Sequence, residues 1–93
     1  MIHLNIEDLT KRKLHNLLCS SFIEIESFGK YILCSLREDE CPKDMRDRII
    51  RRFDGRKRFV VAWNILTGKL DTIEFKDIYK VAIIDEEVLG ITL

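Results

Sequence analysis

Residues 58–75 read RFVVAWNILTGKLDTIEF, and this stretch decides the fold class. Its first seven residues are rich in β-branched and aromatic side chains, which favour strands, and its last six alternate apolar with polar residues. Thr67-Gly68-Lys69 between them is a turn signal. The stretch therefore predicts a central strand over 58–64 that pairs antiparallel with a second strand over 70–75.

Further strands are predicted on both sides of this hairpin. Upstream, residues 22–26 and 31–37 are rich in strand formers and flank a turn at 27–30, so they form a second hairpin. Downstream, residues 79–84 and 88–93 read as short strands separated by an acidic stretch. The pattern predicts five or six short strands in all.

An amphipathic pattern precedes the first hairpin. Between Asn5 and Ser20 the apolar residues recur mostly at three- and four-residue steps, while Lys11, Arg12 and Lys13 occupy the other side. Asn5 is a suitable N-cap, and acidic residues fill the first turn. The pattern predicts one helix over residues 5–20.

Residues 43–58 fit two structures. As a helix they follow Pro42, place two acids four residues before arginines, and end at Gly55. As a strand they turn at Asp54-Gly55, which is a type I′ signal. The helix is favoured because the proline, the glycine and the charge pairs all agree with it.

Length and composition limit the architecture. A chain of 93 residues with 46% hydrophobic residues is the size of one domain and has enough apolar mass for one core. We expect residues 1–93 to form a single α+β domain. It would have an N-terminal helix followed by a small bent antiparallel sheet or an SH3/Sm-like partial barrel, with a second helix inserted before the central strand.

Charge and cysteine content exclude several classes of protein. Sixteen Lys and Arg balance 16 Asp and Glu, so net charge gives no sign of a nucleic-acid or anionic membrane partner. Three cysteines at uneven spacing form neither a disulfide framework nor a paired metal motif, which favours a reducing compartment. No apolar run approaches the roughly 18 residues that span a bilayer. We expect a cytoplasmic protein with no membrane contact.

Half of the basic residues lie in one short segment. Residues 43–58 hold eight Lys and Arg against three acids, a net charge of +5. Arginine binds carboxylates and phosphates, and nearby aromatic rings can stack on unpaired bases. The candidate binding residues are Arg46, Arg48, Arg51, Arg52, Arg56, Lys57, Arg58, Phe53 and Trp63. The segment fits a protein partner, a nucleic acid or nucleotide, or ion pairs with acids of its own chain.

Other chemistry has weaker support. His15 and Cys19 are four residues apart and could share a metal, but no second ligand pair has a recognisable spacing. Cys34 and Cys41 have no histidine close in sequence, and the glycines stand alone, so there is no glycine-rich phosphate loop. We therefore expect no enzyme, and we assign no catalytic residue, cofactor or metal.

The second half of the chain resembles the core of WYL domains, which are Sm-like β-barrels of bacterial regulators. The resemblance rests on residues 56–64, on Gly68 and on residues 71–81, and with the preceding helix and hairpin it spans about residues 14–83. Phe59-Val60-Val61 stands where that family carries Trp-Tyr-Leu. The resemblance implies an Sm-like barrel with a regulatory role.

One departure from the WYL pattern concerns the ligand site. Glu74 and Asp77 occupy the places of arginines that are thought to hold anionic ligands in that family. Acidic side chains there would repel phosphate, so the family's ligand site is not expected here. An anion site would have to use residues 43–58 instead.

These patterns predict a small non-catalytic regulatory module that binds a protein partner through a basic face, and a bacterial or phage regulator fits them. The alternative is a domain that binds single-stranded nucleic acid or a nucleotide. The chain could be a monomer or a homodimer. The apolar residues 88–93 would add a strand to their own sheet or pair with the edge of another copy.

Overall fold

A computed structural model describes residues 1–85 of the chain. The elements in chain order are β1 (Ile2–Leu4), a 3-10 turn (Ile6–Asp8), α1 (Lys11–Ser20), β2 (Phe22–Ser27), β3 (Lys30–Ser35), α2 (Lys43–Arg51), β4 (Phe59–Asn64), β5 (Lys69–Glu74), a second 3-10 turn (Phe75–Asp77) and β6 (Ile78–Ile84). The predicted α+β class is confirmed. The strand predicted over 88–93, and the self-association inferred from it, lie outside the described residues.

The strands form one antiparallel sheet in the order β1-β6-β2-β3-β4-β5. Both predicted hairpins are confirmed, since β2 pairs with β3 and β4 pairs with β5. The central strand predicted over 58–64 is confirmed as β4, which pairs with β3 on one side and with β5 on the other. It is covered on both faces: Val60 is buried in the core, and Val61 on the other face is half-buried.

The connection between β5 and β6 forces the sheet to bend. These strands stand four places apart in the sheet order, which is about 19 Å in a flat sheet. Only the three residues Phe75–Asp77 join them, and such a 3-10 turn covers about 8 Å. The turn is held at both ends, because Ser27 Oγ donates to the Asp77 carbonyl (3.0 Å) and the Phe75 N–H donates to the Arg58 carbonyl (2.9 Å). The six strands among residues 1–85 therefore form an open but curled sheet.

The core fills the curled sheet and is closed by α1. Its buried members are Leu9, Leu14, Leu18, Ile23, Ile25, Cys34, Leu36, Cys41, Val60, Ala62, Ile73, Ile78 and Val81. Leu14 and Leu18 are four residues apart on α1 and are fully buried. The C-terminus of α1 is tied to the end of β3, because the Leu18 carbonyl accepts both the Leu36 N–H (2.7 Å) and the Ser35 hydroxyl (3.3 Å).

The prediction of one helix over residues 5–20 is wrong at its N-terminal end. Asn5 caps only the 3-10 turn, because its Oδ1 accepts the Glu7 N–H (3.1 Å). The α-helix begins after Thr10, whose Oγ1 accepts the Lys13 N–H (3.1 Å). Two good N-caps therefore compete within six residues, and each is used. The residues before them form the short strand β1, which the sequence analysis did not predict.

The helix reading of 43–58 is confirmed for residues 43–51 and is wrong beyond them. The helix ends at Arg51, and Gly55 does not end it. Asp54 Oδ1 accepts the Arg56 N–H (2.9 Å), and this hydrogen bond forms a turn after the helix. Among residues 1–85, no ion pair joins the acids of α2 to the arginines four residues later. These pairs are exposed, so solvent competes with them.

The turn between β2 and β3 leads to a test of stability. Phe28 and Gly29 both have positive φ angles, 51° and 75°, which is the pattern of a type I′ turn. The left-handed region disfavours phenylalanine but tolerates asparagine. We expect Phe28→Asn to raise the free energy of unfolding by about 1 kcal/mol in urea titrations. Phe28→Ala is the control, because this variant removes the exposed ring and keeps the strained backbone. An equal rise in the free energy of unfolding for Phe28→Ala would contradict the backbone explanation.

Candidate functional site

A cleft of about 240 Å³ lies where α1, the end of α2 and the start of β4 meet. Its lining residues are His15, Arg48, Ile49, Arg52, Phe53, Asp54, Lys57, Phe59 and Val61. The apolar members form its floor, and the basic members are exposed at its rim. We call it the basic cleft. A larger depression of about 570 Å³ lies beside β1 and α1, but Asp8 and Lys13 are its only charged lining residues.

Residues of α2 and the segment after it supply most of the cleft. Arg48 and Arg52 are four residues apart, so they project from one side of the helix. Ile49 and Phe53 are also four residues apart and pack inward, where both are half-buried. The Lys57 carbonyl accepts a hydrogen bond from Lys11 Nζ, which ties the turn after α2 to the first turn of α1.

An aromatic stack joins the two helices at the base of the cleft. The rings of His15 and Phe53 have centroids 4.2 Å apart and planes inclined by only 16°. The Arg12 guanidinium carbon lies 4.7 Å from the centroid of the Phe53 ring, at cation–π distance. Arg12 therefore brings a further positive charge from α1 to the edge of the cleft.

The surroundings of His15 favour the neutral form of its imidazole. Its residue is only 5% exposed, and burial lowers its pKa below the usual range. The positive charge of Arg12 lowers that pKa further. A neutral ring stacks on Phe53 without adding a buried charge to an already basic region.

The positive charges of the cleft are not neutralised by the described chain. Within residues 1–85, no ion pair involves Arg48, Arg52 or Lys57. The carboxylate of Asp54, at the rim, instead binds the exposed Arg56, with 3.1 Å between Oδ1 and Nε. The hydrogen bond from the Arg56 side chain, and then that from its backbone N–H, lower the pKa of Asp54. The cleft therefore presents several exposed cations above an apolar floor.

The remaining predicted site residues lie elsewhere. Arg46 is half-buried, and its Nε donates to the Leu36 carbonyl (2.7 Å), so it fastens α2 to the end of β3. Arg51 lies with Asp47 and Ile50 on another side of α2. The sequence predicted one basic face, whereas the structure distributes these arginines around the helix.

Two further predicted residues are separated from the basic cleft. Arg58 precedes β4, and its carbonyl accepts the Phe75 N–H. Trp63 is half-buried on β4, packs against the core and does not line the cleft. Of the predicted site residues, Arg48, Arg52, Phe53 and Lys57 come together in the cleft.

Sequence reasoning missed the contribution of α1. Arg12 was placed on the exposed side of the first helix, and His15 was considered only as a metal ligand. Amphipathic periodicity shows which side of a helix is apolar, but it does not show which distant segment that side meets. No local signal connects either residue with Phe53.

The arrangement of thiols and carboxylates gives little sign of metal or acid–base chemistry. Among residues 1–85, no group of three or more His, Cys, Asp or Glu side chains could hold a metal ion. Burial, and secondarily the charge of Asp71, raise the pKa of the Cys34 thiol to about 12. A buried oxygen of Glu26 has no hydrogen-bond partner and lies 3.9 Å from Lys80 Nζ across the sheet.

Comparisons of the chain with protein-family models, with curated proteins and with solved structures found no match. In the part of the chain that the structure describes, neither helix is long and apolar enough to cross a membrane. The basic cleft is therefore interpreted from its own geometry.

The buried His15 predicts a dependence of stability on pH. Because its pKa is lower in the folded chain, the unfolded chain binds more protons when the pH falls through about 6.5. We expect the free energy of unfolding to decrease over this range, by no more than about 1.4 kcal/mol per pH unit from one group. His15→Phe should remove this slope while keeping the stack, and urea titrations from pH 7.5 to 5 measure it. The control His3→Phe should retain the slope; an unchanged slope in His15→Phe contradicts the assignment.

Proposed function

We propose that this chain is a non-catalytic interaction module whose basic cleft binds an acidic segment of a protein partner. One observation carries the proposal: Arg48, Arg52 and Lys57 surround an apolar floor, and none of them forms an ion pair with an acid among residues 1–85. Arg48 lies in the last turn of α2 and Arg52 caps its C-terminus, so both exposed cations are presented at the end of the helix, where an anionic partner could pair with them.

The floor of the cleft favours a ligand that is apolar as well as acidic. Phe59 is 39% exposed, and Val61 beside it is half-buried. A cleft of about 240 Å³ has room for one large side chain. A protein segment that combines an apolar anchor with neighbouring carboxylates would fill the floor and pair with the rim.

Binding of single-stranded nucleic acid is the alternative, and the positions of the aromatic rings make it the weaker one. Successive bases require exposed aromatic faces in a row. Phe53 is stacked on His15, and Trp63 lies outside the cleft. The arginines could still bind phosphates, so the test must compare both kinds of ligand.

We also propose that the curled sheet is a partial barrel of the SH3/Sm-like kind, and that the chain is a WYL-like regulator. The support for the barrel is the return of β6 to pair with β2 after an antiparallel run from β2 to β5, preceded by a helix. Glu74 is paired with Lys76 at 3.5 Å. An acid at this position supports an anion site at the basic cleft rather than at the place used by WYL domains.

Charge reversal in the cleft tests the function. We expect a fluorescein-labelled peptide of alternating Glu and Val residues to bind the chain in about 50 mM salt and to be released as salt rises, because exposed charges are screened. The double variant Arg48→Glu, Arg52→Glu should weaken binding at least tenfold in fluorescence anisotropy, a change of about 1.4 kcal/mol.

A matched control has the same change in net charge. Lys43→Glu with Arg51→Glu reverses two charges on another side of α2, so peptide affinity should change much less. Equal losses in both double variants would contradict the assignment to the cleft. A labelled single-stranded oligonucleotide that binds more tightly than the peptide at about 150 mM salt would support the nucleic-acid alternative instead.

A further inference from the structure

The edge strand β5 presents backbone groups that point away from the sheet. The Phe75 N–H donates to the Arg58 carbonyl, and the register then pairs Val60 with Ile73 two residues along. Hydrogen-bonded and non-hydrogen-bonded pairs alternate in an antiparallel ladder. Leu70, Thr72 and Glu74 therefore occupy non-hydrogen-bonded pairs, so their N–H groups and the C=O groups of Leu70 and Thr72 face outward, whereas the Glu74 C=O begins the second 3-10 turn. Within residues 1–85, no strand pairs with this edge.

This edge is protected by one exposed lysine, Lys69 at its first position, and its remaining residues carry little of the protection that sheet edges usually have. Short length, proline, bulges and unpaired charges normally prevent a second strand from adding. The opposite edge, β1, is only three residues long, whereas β5 has six residues, no proline and an uninterrupted register with β4. Its internal acids are already engaged: Asp71 accepts from Asn64 Nδ2 (2.8 Å), and Glu74 pairs with Lys76.

The side chains of Leu70, Thr72 and Glu74 lie on the face of the sheet that carries the basic cleft. Glu74 lies directly opposite Phe59, and Thr72 lies opposite Val61, so these side chains are on one face. Both β4 residues line the cleft. Leu70, which is 40% exposed, extends the apolar surface along the same face of β5.

A strand added to β5 would place every second side chain on this face. It would lie about 5 Å from β5 and about 10 Å from β4. Carboxylates on that face would be attracted to Arg48, Arg52 and Lys57, whereas basic side chains would be repelled. The residues between them would point to the opposite face of the sheet. Glu74 on the same face is paired with Lys76, so the remaining charges of the cleft favour an acidic occupant.

We propose that β5 is the docking edge for an extended acidic segment of the partner, which adds to the sheet as a strand and points its acids toward the basic cleft. The inference rests on the proposed function of the cleft and adds how the partner binds. Main-chain hydrogen bonds to Leu70, Thr72 and Glu74 would give affinity, and the basic rim would select the sequence.

A proline at one outward-facing position tests strand addition. Thr72→Pro removes an N–H that is not used by β4, so the sheet should keep its ladder. We expect it to weaken binding of the alternating Glu-Val peptide to the full chain at least tenfold. Thr72→Val, which changes the side chain and keeps the N–H, should bind the peptide as the parent does. Circular dichroism establishes that each variant is folded.

Backbone methylation of the peptide gives a second measurement that needs no variant. In an extended peptide, the N–H groups of the Glu residues point to one edge and those of the Val residues point to the other. N-methylation of one set should abolish binding to the parent chain, and methylation of the other set should be tolerated. Equal effects of the two sets would overturn strand addition.

The outcomes separate the inference from the proposed function. Peptide binding that is lost on reversing Arg48 and Arg52 but unchanged in Thr72→Pro overturns strand addition and leaves the cleft function standing. A parent that binds no peptide in about 50 mM salt overturns both. If the parent chain sediments as a dimer and the Thr72→Pro variant as a monomer, the occupant of β5 is a second copy of the chain. That result would overturn the proposal of an acidic partner.

Discussion

The short link between β5 and β6 is the constraint on which the rest of the structure depends. Three residues must join strands that a flat sheet would hold about 19 Å apart, so the sheet has to curl. Curling encloses the core residues of both hairpins, and α1 covers the opening with Leu14 and Leu18. The link itself is held by hydrogen bonds to Ser27 and to the Arg58 carbonyl at its two ends, and Phe75 packs against the core.

The basic cleft is a consequence of the same curvature. A curled sheet brings the start of β4 beneath both helices, and the stack of His15 on Phe53 fixes the helices to each other at that point. Positive charges from α1, from α2 and from the turn after α2 then converge on one small surface. Folding stability does not require that convergence, because exposed like charges repel.

Much of the fold could be predicted because its signals are local. Both hairpins follow from alternation and turn residues, and α2 follows from Pro42 and its acidic and basic spacing. The start of α1 was missed because Asn5, which ranks above Thr10 as an N-cap, caps the 3-10 turn instead of the helix. Only part of the cleft could be predicted. The density of arginines in residues 43–58 was visible in the sequence, but it did not show that Arg46 donates to a backbone carbonyl instead. The contact of Arg12 with Phe53 depends on tertiary packing, which has no local signal.

The attachment of the second hairpin to the first has a dynamic consequence. β3 and β4 share the pairs Cys34 with Asn64 and Ser35 with Trp63, extended by one hydrogen bond from the Ile65 N–H to the Leu33 carbonyl. The ladders within β2–β3 and β4–β5 are much longer. Because this seam is the shortest ladder of the sheet among residues 1–85, we expect amides of β4 and β5 to exchange with solvent deuterium sooner than those of β2, although one core packs against both hairpins.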